Sequence, residues 1–455
     1  MARRALIFIL ALFFLSGCAG RVKKPMPQPV TPPPAVKPIP SAVTPAPPVS
    51  PPAPVIKVPP ETLPPPVVPK PSSPLVRLLA DRLPLFADDM NLASLETAIE
   101  KSLQYYNRAA GSGPHRMDES TVTVRELKES LLALKEILRR DEPAEKKQER
   151  IRETFDVYRS TGLDGNGTVL FTGYFEPILD GSLKKTAKYK YPIYKAPNDA
   201  VVVNLGKFRE KNQADQLVGR VRNGELVPYY SRSEIEDFRA LAGRNLEIAW
   251  VDDRINLFFL HTQGSGKIKL PNGKLLQIGY ALKNGRPYQS LGRFLMDTGK
   301  ITPQDISYQA IKRYLRENPE DLSEILGHNE SFIFFREVKE GPVGSLGEIL
   351  TAGRSIATDA AVFPRGALGF IRARKPILDR EGNAESWVPF SRFVVNQDAG
   401  GMIKGAGRVD LFCGTGDEAE MLAGSLKERG ELYFLVKKRD KGSLDKGDDQ
   451  GKAGI

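Results

Sequence analysis

Two aspartates near the C-terminal end flank a loop that holds four glycines. The block reads Gln397-Asp398-Ala399-Gly400-Gly401-Met402-Ile403-Lys404-Gly405-Ala406-Gly407-Arg408-Val409-Asp410-Leu411-Phe412. Glycines at this density let backbone segments approach closely. Asp410 sits between Val409 and Leu411-Phe412, and a carboxyl group in apolar surroundings has its charged form disfavoured. Its pKa is therefore expected to rise, which suits a general acid working near neutral pH. Either aspartate taken alone reads equally well as a turn or N-cap residue.

The elements around this block are read as short strands. After Thr161, apolar or β-branched runs alternate with turn residues: Val169 to Tyr174, Ile248 to Val251, Leu257 to Thr262, Leu275 to Ala281, Ile333 to Val338, Gly369 to Arg372, Phe393 to Asn396, Val409 to Phe412 and Leu432 to Val436. Helices are expected over Pro303 to Asn318 and over Glu418 to Arg429, the second closed by Gly430. Before this region, residues 75–154 are expected to be helical, with Leu127, Leu131, Leu134 and Leu138 at helical spacing. The fold class is mainly β, or α+β, without βαβ alternation or a phosphate-binding loop.

Composition removes several functions. The chain of 455 residues has 2 Cys and 3 His, too few for a disulfide scaffold, a Cys-rich zinc site or a histidine-based metal centre. No metal and no cofactor is expected. The net charge of +11 suggests nucleic acid at first. It is concentrated at the ends, however: residues 75–436 carry 52 basic and 50 acidic side chains, so no nucleic-acid platform is expected.

Residues 1–17 read as an export signal, with Arg3-Arg4 before the apolar run Ala5 to Phe14. Leu15-Ser16-Gly17-Cys18 resembles the lipobox of a bacterial lipoprotein. That resemblance implies acylation of Cys18 and cleavage before it, and Ala19 in place of aspartate implies sorting to the outer membrane, facing the periplasm. Residues 18–74 are then a lipidated, proline-rich linker; 22 of the 37 prolines fall in 25–74. Such a chain is extended, at about 3.1 Å per residue, and acts as a semi-rigid spacer. Residues 439–455 are expected to be a disordered tail.

The C-terminal block resembles the 3D segment of the membrane-bound lytic murein transglycosylase A family. The pattern Gln-Asp-x-Gly-Gly-x-Ile-x-Gly, then Asp, then Gly-x-Gly-x-x-Ala is met at Gln397-Asp398, Gly400-Gly401, Ile403, Gly405, Asp410, Gly414, Gly416 and Ala419. Further segments match in order: Phe171-Thr172-Gly173-Tyr174-Phe175-Glu176-Pro177, Gln263-Gly264-Ser265-Gly266, Tyr280 with Asn284-Gly285 and Tyr288, Ser331-Phe332-Ile333-Phe334-Phe335, and Leu350-Thr351-Ala352-Gly353-Arg354-Ser355. The resemblance implies a double-psi β-barrel, over 155–177 and 337–438, with a smaller β-domain inserted at 178–336. A substrate groove would run between them.

It further implies Asp410 as the single catalytic carboxyl, with Asp398 and Thr172 in the groove. Gly173, Tyr174, Gln263, Gly264, Ser265, Gly266, Tyr280, Tyr288, Arg354 and Lys404 are taken as substrate-binding candidates. Asp398 is expected to act as a nearby carboxylate that raises the pKa of Asp410. The implied reaction cleaves the N-acetylmuramic acid–β-1,4–N-acetylglucosamine bond of peptidoglycan without water, in cell-wall remodelling. The partners expected are glycan strands and, through Cys18, membrane lipid, with the protein a monomer. A muramidase that hydrolyses the same bond and a non-catalytic peptidoglycan-binding lipoprotein stand as alternatives.

Overall fold

The computed structural model describes residues 73–108, 114–208, 216–380 and 382–439. The expected export signal, Cys18, nearly all of the linker and nearly all of the C-terminal tail lie outside the described residues. Among the described residues no helix is long and apolar enough to cross a membrane.

Six strands close on themselves. Their order is Lys427–Lys437, Leu368–Leu378, Ala384–Asp398, Ser355–Ala357, Arg408–Thr415 and Val169–Glu176, and the last pairs back to the first. Two of the pairings are parallel: Ser355–Ala357 with Ala384–Asp398, and Arg408–Thr415 with Val169–Glu176. The result is a closed barrel with two parallel pairs, as expected of the double-psi class, and closure leaves it no free edge.

The chain leaves the barrel after Glu176 and re-enters it at Ser355. Between these points lies a second, six-stranded sheet in the order Ile333–Glu337, Leu275–Lys283, Ser265–Lys269, Ile178–Ser182, Glu247–Val251 and Tyr191–Tyr194. A three-stranded sheet, Val201–Asn204, Gln216–Arg222 and Glu225–Pro228, belongs to the same stretch.

The N-terminal helices pack into the barrel's own core. Leu95 and Ile99 of Leu92–Arg108, and Leu127, Leu131 and Leu134 of Val124–Arg139, join Phe370, Phe393 and Phe434 in one buried cluster. The leucine spacing thus lies on the buried face. Thr123 and Glu126 form a reciprocal capping box that starts the second helix.

Three expected elements differ. Leu257 to Thr262 is part of a helix, Arg254–Gln263, whose first turn is capped by Asp253 on the backbone N–H groups of Ile255 and Asn256. Leu257 and Leu260 face one apolar cluster while Ile255, Phe258 and Phe259 face another. A helix buried on two sides has a continuous apolar run and imitates a buried strand. The helix expected over Pro303 to Asn318 is Tyr308–Glu317, because the Ser307 hydroxyl accepts from the N–H of Ala310 and caps it there. The helix expected to end at Gly430 is Asp417–Ser425, and Gly430 lies inside the following strand, opposite Val169.

Gly430 is required by a close approach. A Cβ at this position would stand 2.3 Å from the carbonyl oxygen of Arg372. Gly430→Ala is expected to destabilise the fold by about 1–3 kcal/mol through overpacking against backbone. Urea denaturation checks this, and an unchanged midpoint would contradict it.

Candidate active site

Strand register sets the two aspartates in one row. Ala357 pairs with Asp398 on one side and with Asp410 on the other. Asp410 pairs in turn with Thr172, and Thr172 with Lys427. Directly paired residues share a face of the sheet. Asp398, Asp410, Thr172 and Lys427 therefore lie in a line across the barrel surface. One strand separates the aspartates, so their backbones stand about 10 Å apart at the usual strand spacing.

Asp410 is held by one oxygen. Its Oδ1 accepts from the Thr172 hydroxyl and faces Arg408 Nε at 3.4 Å. Arg408 also donates to the Thr172 oxygen at 3.2 Å, so the hydroxyl accepts from the guanidinium while donating to the carboxyl. Among the described residues nothing bonds Oδ2. The side chain is 19% exposed. Burial pushes the carboxyl above its ordinary value, and the Arg408 charge, opposing it, is the weaker influence.

Asp398 is held by both oxygens. Oδ1 accepts from the backbone N–H groups of Ser345 and Ala399, each at 2.8 Å, and Oδ2 from the Tyr174 hydroxyl at 3.0 Å. Burial raises this carboxyl too, against the pull of its three donors. Burial acts most strongly on Asp410, opposed by Arg408 and Thr172. Asp398 stands one strand away, with its oxygens committed to Ser345, Ala399 and Tyr174. Tyr174 lies within electrostatic reach of both aspartates. Burial first, then the Asp398 charge, pushes its hydroxyl well up, which keeps it a donor.

The remaining candidates divide. Thr172 and Tyr174, two residues apart, share the Asp410 face. Gly173 turns the other way, where a Cβ would meet the Ala423 Cα at 2.5 Å, so its bareness serves helix packing. Gln263 accepts from the Phe175 N–H at 3.1 Å and pins the insert to the barrel strand. Gly264 is the left-handed cap of that helix, with φ of 80°. Ser265 pairs with Gly279, and a Cβ at Gly266 would meet Leu260 at 2.5 Å. Gly264 and Gly266 thus shape the turn from helix to strand. Tyr280 and Tyr288 are both exposed, and Tyr288 lies within electrostatic reach of Arg408. Lys404 is exposed on the glycine loop.

Arg354 is corrected from a substrate-binding candidate to a structural tie. It is fully buried and pairs with both oxygens of Asp88, at 2.6 and 2.9 Å. It also donates to the Ser94 hydroxyl and to the carbonyls of Asn91 and Phe393. With its donors consumed by the N-terminal region and the barrel, it has none for a ligand.

Sequence reasoning missed Arg408, Ser345, Lys427 and Glu176. Arg408 stands two residues before Asp410, on the same strand face, and strand alternation alone could have found it. Glu176 is fully buried and accepts from Gln277, from Thr415 at 2.8 Å and from Lys267 at 3.3 Å. It ties a barrel strand to two strands of the insert. Cys413 on the Asp410 strand is a free thiol whose pKa burial pushes up to about 12, which leaves it inert.

A cleft of about 480 Å³ opens beside this row, lined by Thr172, Gln263, Ser290, Tyr308, Asn383 and Lys427 among others. Asp410 is not part of its lining; Thr172, which bonds Asp410, is.

The MltA specific insert domain matches residues 170–336, and the 3D domain matches 354–436. The membrane-bound lytic murein transglycosylase A of Escherichia coli K12 is 30% identical over 283 residues, which is 62% of this chain and 69% of that protein. The chain belongs to the lytic murein transglycosylase A family. Its Vibrio cholerae member is 31% identical, over 60% of this chain and 67% of that one. A crystal structure of the membrane-bound lytic murein transglycosylase from Agrobacterium tumefaciens superposes with a TM-score of 0.65 at 28% identity, covering 80% of this chain and 97% of that one. The E. coli MltA structure with bound chitohexaose gives 0.63 at 25% identity, covering 81% and 96%. The chain is an enzyme of this transglycosylase family.

A carboxyl raised by burial leaves a signature in stability. Folding is more favourable while Asp410 is protonated, and that advantage is lost as pH rises through the raised value. Asp410→Asn is therefore expected to unfold at a higher temperature than wild type at pH 7, with the difference vanishing near pH 3. A gain that is the same at both pH values would contradict the burial account.

Proposed function

We propose that the protein is a peptidoglycan lytic transglycosylase in which Asp410 serves as acid and then as base. The observation that carries this reading is a largely buried carboxyl anchored by one oxygen, whose second oxygen has no protein partner among the described residues. Protonated Asp410 donates to the glycosidic oxygen as the bond from C1 breaks. The carboxylate then takes the proton of the C6 hydroxyl of the same muramoyl residue as O6 closes on C1. The product ends in a 1,6-anhydro ring, and no water enters.

One carboxyl suffices because the nucleophile belongs to the substrate, and a positioned intramolecular hydroxyl has a very high effective concentration. Hydrolysing glycosidases need a second carboxylate beside the reacting carbon. Here Asp398 is committed to Ser345, Ala399 and Tyr174, which supports a positioning role for it. Arg408 and Thr172 hold Oδ1 and so turn the other oxygen toward the sugar. The membrane-bound relatives and the Cys18 segment support a lipoprotein of the outer membrane that works on glycan strands from the periplasmic face.

Digestion of purified sacculi in ¹⁸O-labelled water tests the reading. Wild type is expected to release unlabelled anhydromuramoyl products, and Asp410→Asn to lose roughly 10²–10⁴-fold in turnover. Labelled reducing ends would mark a muramidase, and no release at all would mark a binding protein.

A further inference from the structure

The cleft beside Thr172 holds a cation that the proposed chemistry leaves unused. Lys427 is exposed, and among the described residues it makes no ion pair. It pairs in register with Thr172, which pairs with Asp410. Its backbone thus lies two strands, about 10 Å, from that of Asp410 and on the same face. By contrast, Arg293, the other cation of the lining, is engaged by Asp297 at 2.9 Å.

The facing wall holds a second donor, which would have to turn out of its buried position to meet a ligand. Gln309 lines the cleft, and its Nε2 is buried without a hydrogen-bond partner among the described residues. Gly424 on the barrel side makes room for it, since a Cβ there would stand 2.8 Å from that nitrogen. An unpaired ammonium and an unmatched amide donor across one cleft call for an acceptor-rich, anionic ligand. Met296, Ile306 and Ile311 add an apolar strip along the same wall.

We propose that Lys427, with Gln309, recognises a carboxylate carried on the lactyl side of the muramoyl residue, and that it makes the enzyme selective for substituted over plain glycans. Two sources have this chemistry: the free lactyl carboxylate of a stem-free strand, and the carboxylates of a peptide stem. Lys427 acts on binding and does not touch the reacting atoms. The inference rests on the glycan-cleaving reading above.

The test compares the full-length wild type, Lys427→Met and Lys427→Arg on three probes. These are stem-bearing strands, amidase-stripped strands and chitohexaose, which carries no carboxylate. Lys427→Met is expected to raise KM about tenfold on one or both muramoyl substrates, the loss of one charge-assisted contact, with kcat unchanged. Chitohexaose affinity should stay at the wild-type value, and Lys427→Arg should restore most of the loss. A rise in KM on stem-bearing strands alone assigns the stem, and on stripped strands alone the lactyl group. An equal loss on all three probes, or no change on any, overturns the proposal. Absence of anhydro products with wild type would instead defeat the reading of the reaction itself.

Discussion

A carboxyl group placed in a poorly solvated position is expensive to ionise, and that penalty governs the arrangement around Asp410. Burial raises its pKa, and the nearby Arg408 guanidinium pulls in the opposite direction. Thr172 mediates between the two, accepting from one and donating to the other. The balance raises the carboxyl's pKa while anchoring only one oxygen, which suits the proposed acid. An unopposed arginine salt bridge would leave a permanent carboxylate, and a fully dry aspartate would be a poor base in the second half of the reaction.

The barrel exists in a form that enforces this balance. Asp410 owes its neighbours to a parallel pairing with the Thr172 strand on one side and an antiparallel pairing with a three-residue strand, Ser355–Ala357, on the other. That short strand is in turn fixed from behind. Arg354, the residue before it, is clamped by Asp88, and Arg392 is clamped by Asp89 at 2.8 Å. The N-terminal region therefore braces the sheet that presents Asp410, although no residue of it lies in the row. Removing one partner of a buried pair of this kind leaves an uncompensated charge, typically a loss of 3–5 kcal/mol. On the other side, Glu176 locks the insert to the strand carrying Thr172, which fixes the wall of the cleft.

Much of this was legible in the residues. The apolar setting of Asp410 announced its burial, and Val169 to Tyr174 read as the strand that carries Thr172 and Tyr174. What could not be read was long-range pairing. Nothing local to Arg354 tells that Asp88, 266 positions earlier, consumes its donors. Likewise, no spacing rule brings Lys427 beside Thr172, because a closing strand of the barrel makes that contact. Leu257 to Thr262 misled for a different reason: a helix between two cores loses the polar face by which helices are recognised. Gly430 misled because a glycine after a helical pattern is usually a cap, and here it answers a steric demand between strands.

In the proposed mechanism burial and Arg408 set the acidity of Asp410, while Asp398 holds Tyr174 and the Ser345 backbone. The most direct measurement is the alkaline limb of kcat/KM against pH for wild type, Arg408→Gln and Asp398→Asn. Removing the cation should move the limb to higher pH, and neutralising Asp398 should lower the rate while leaving the limb where it was. A limb that stays put in Arg408→Gln, or that moves to lower pH in Asp398→Asn, would contradict the account.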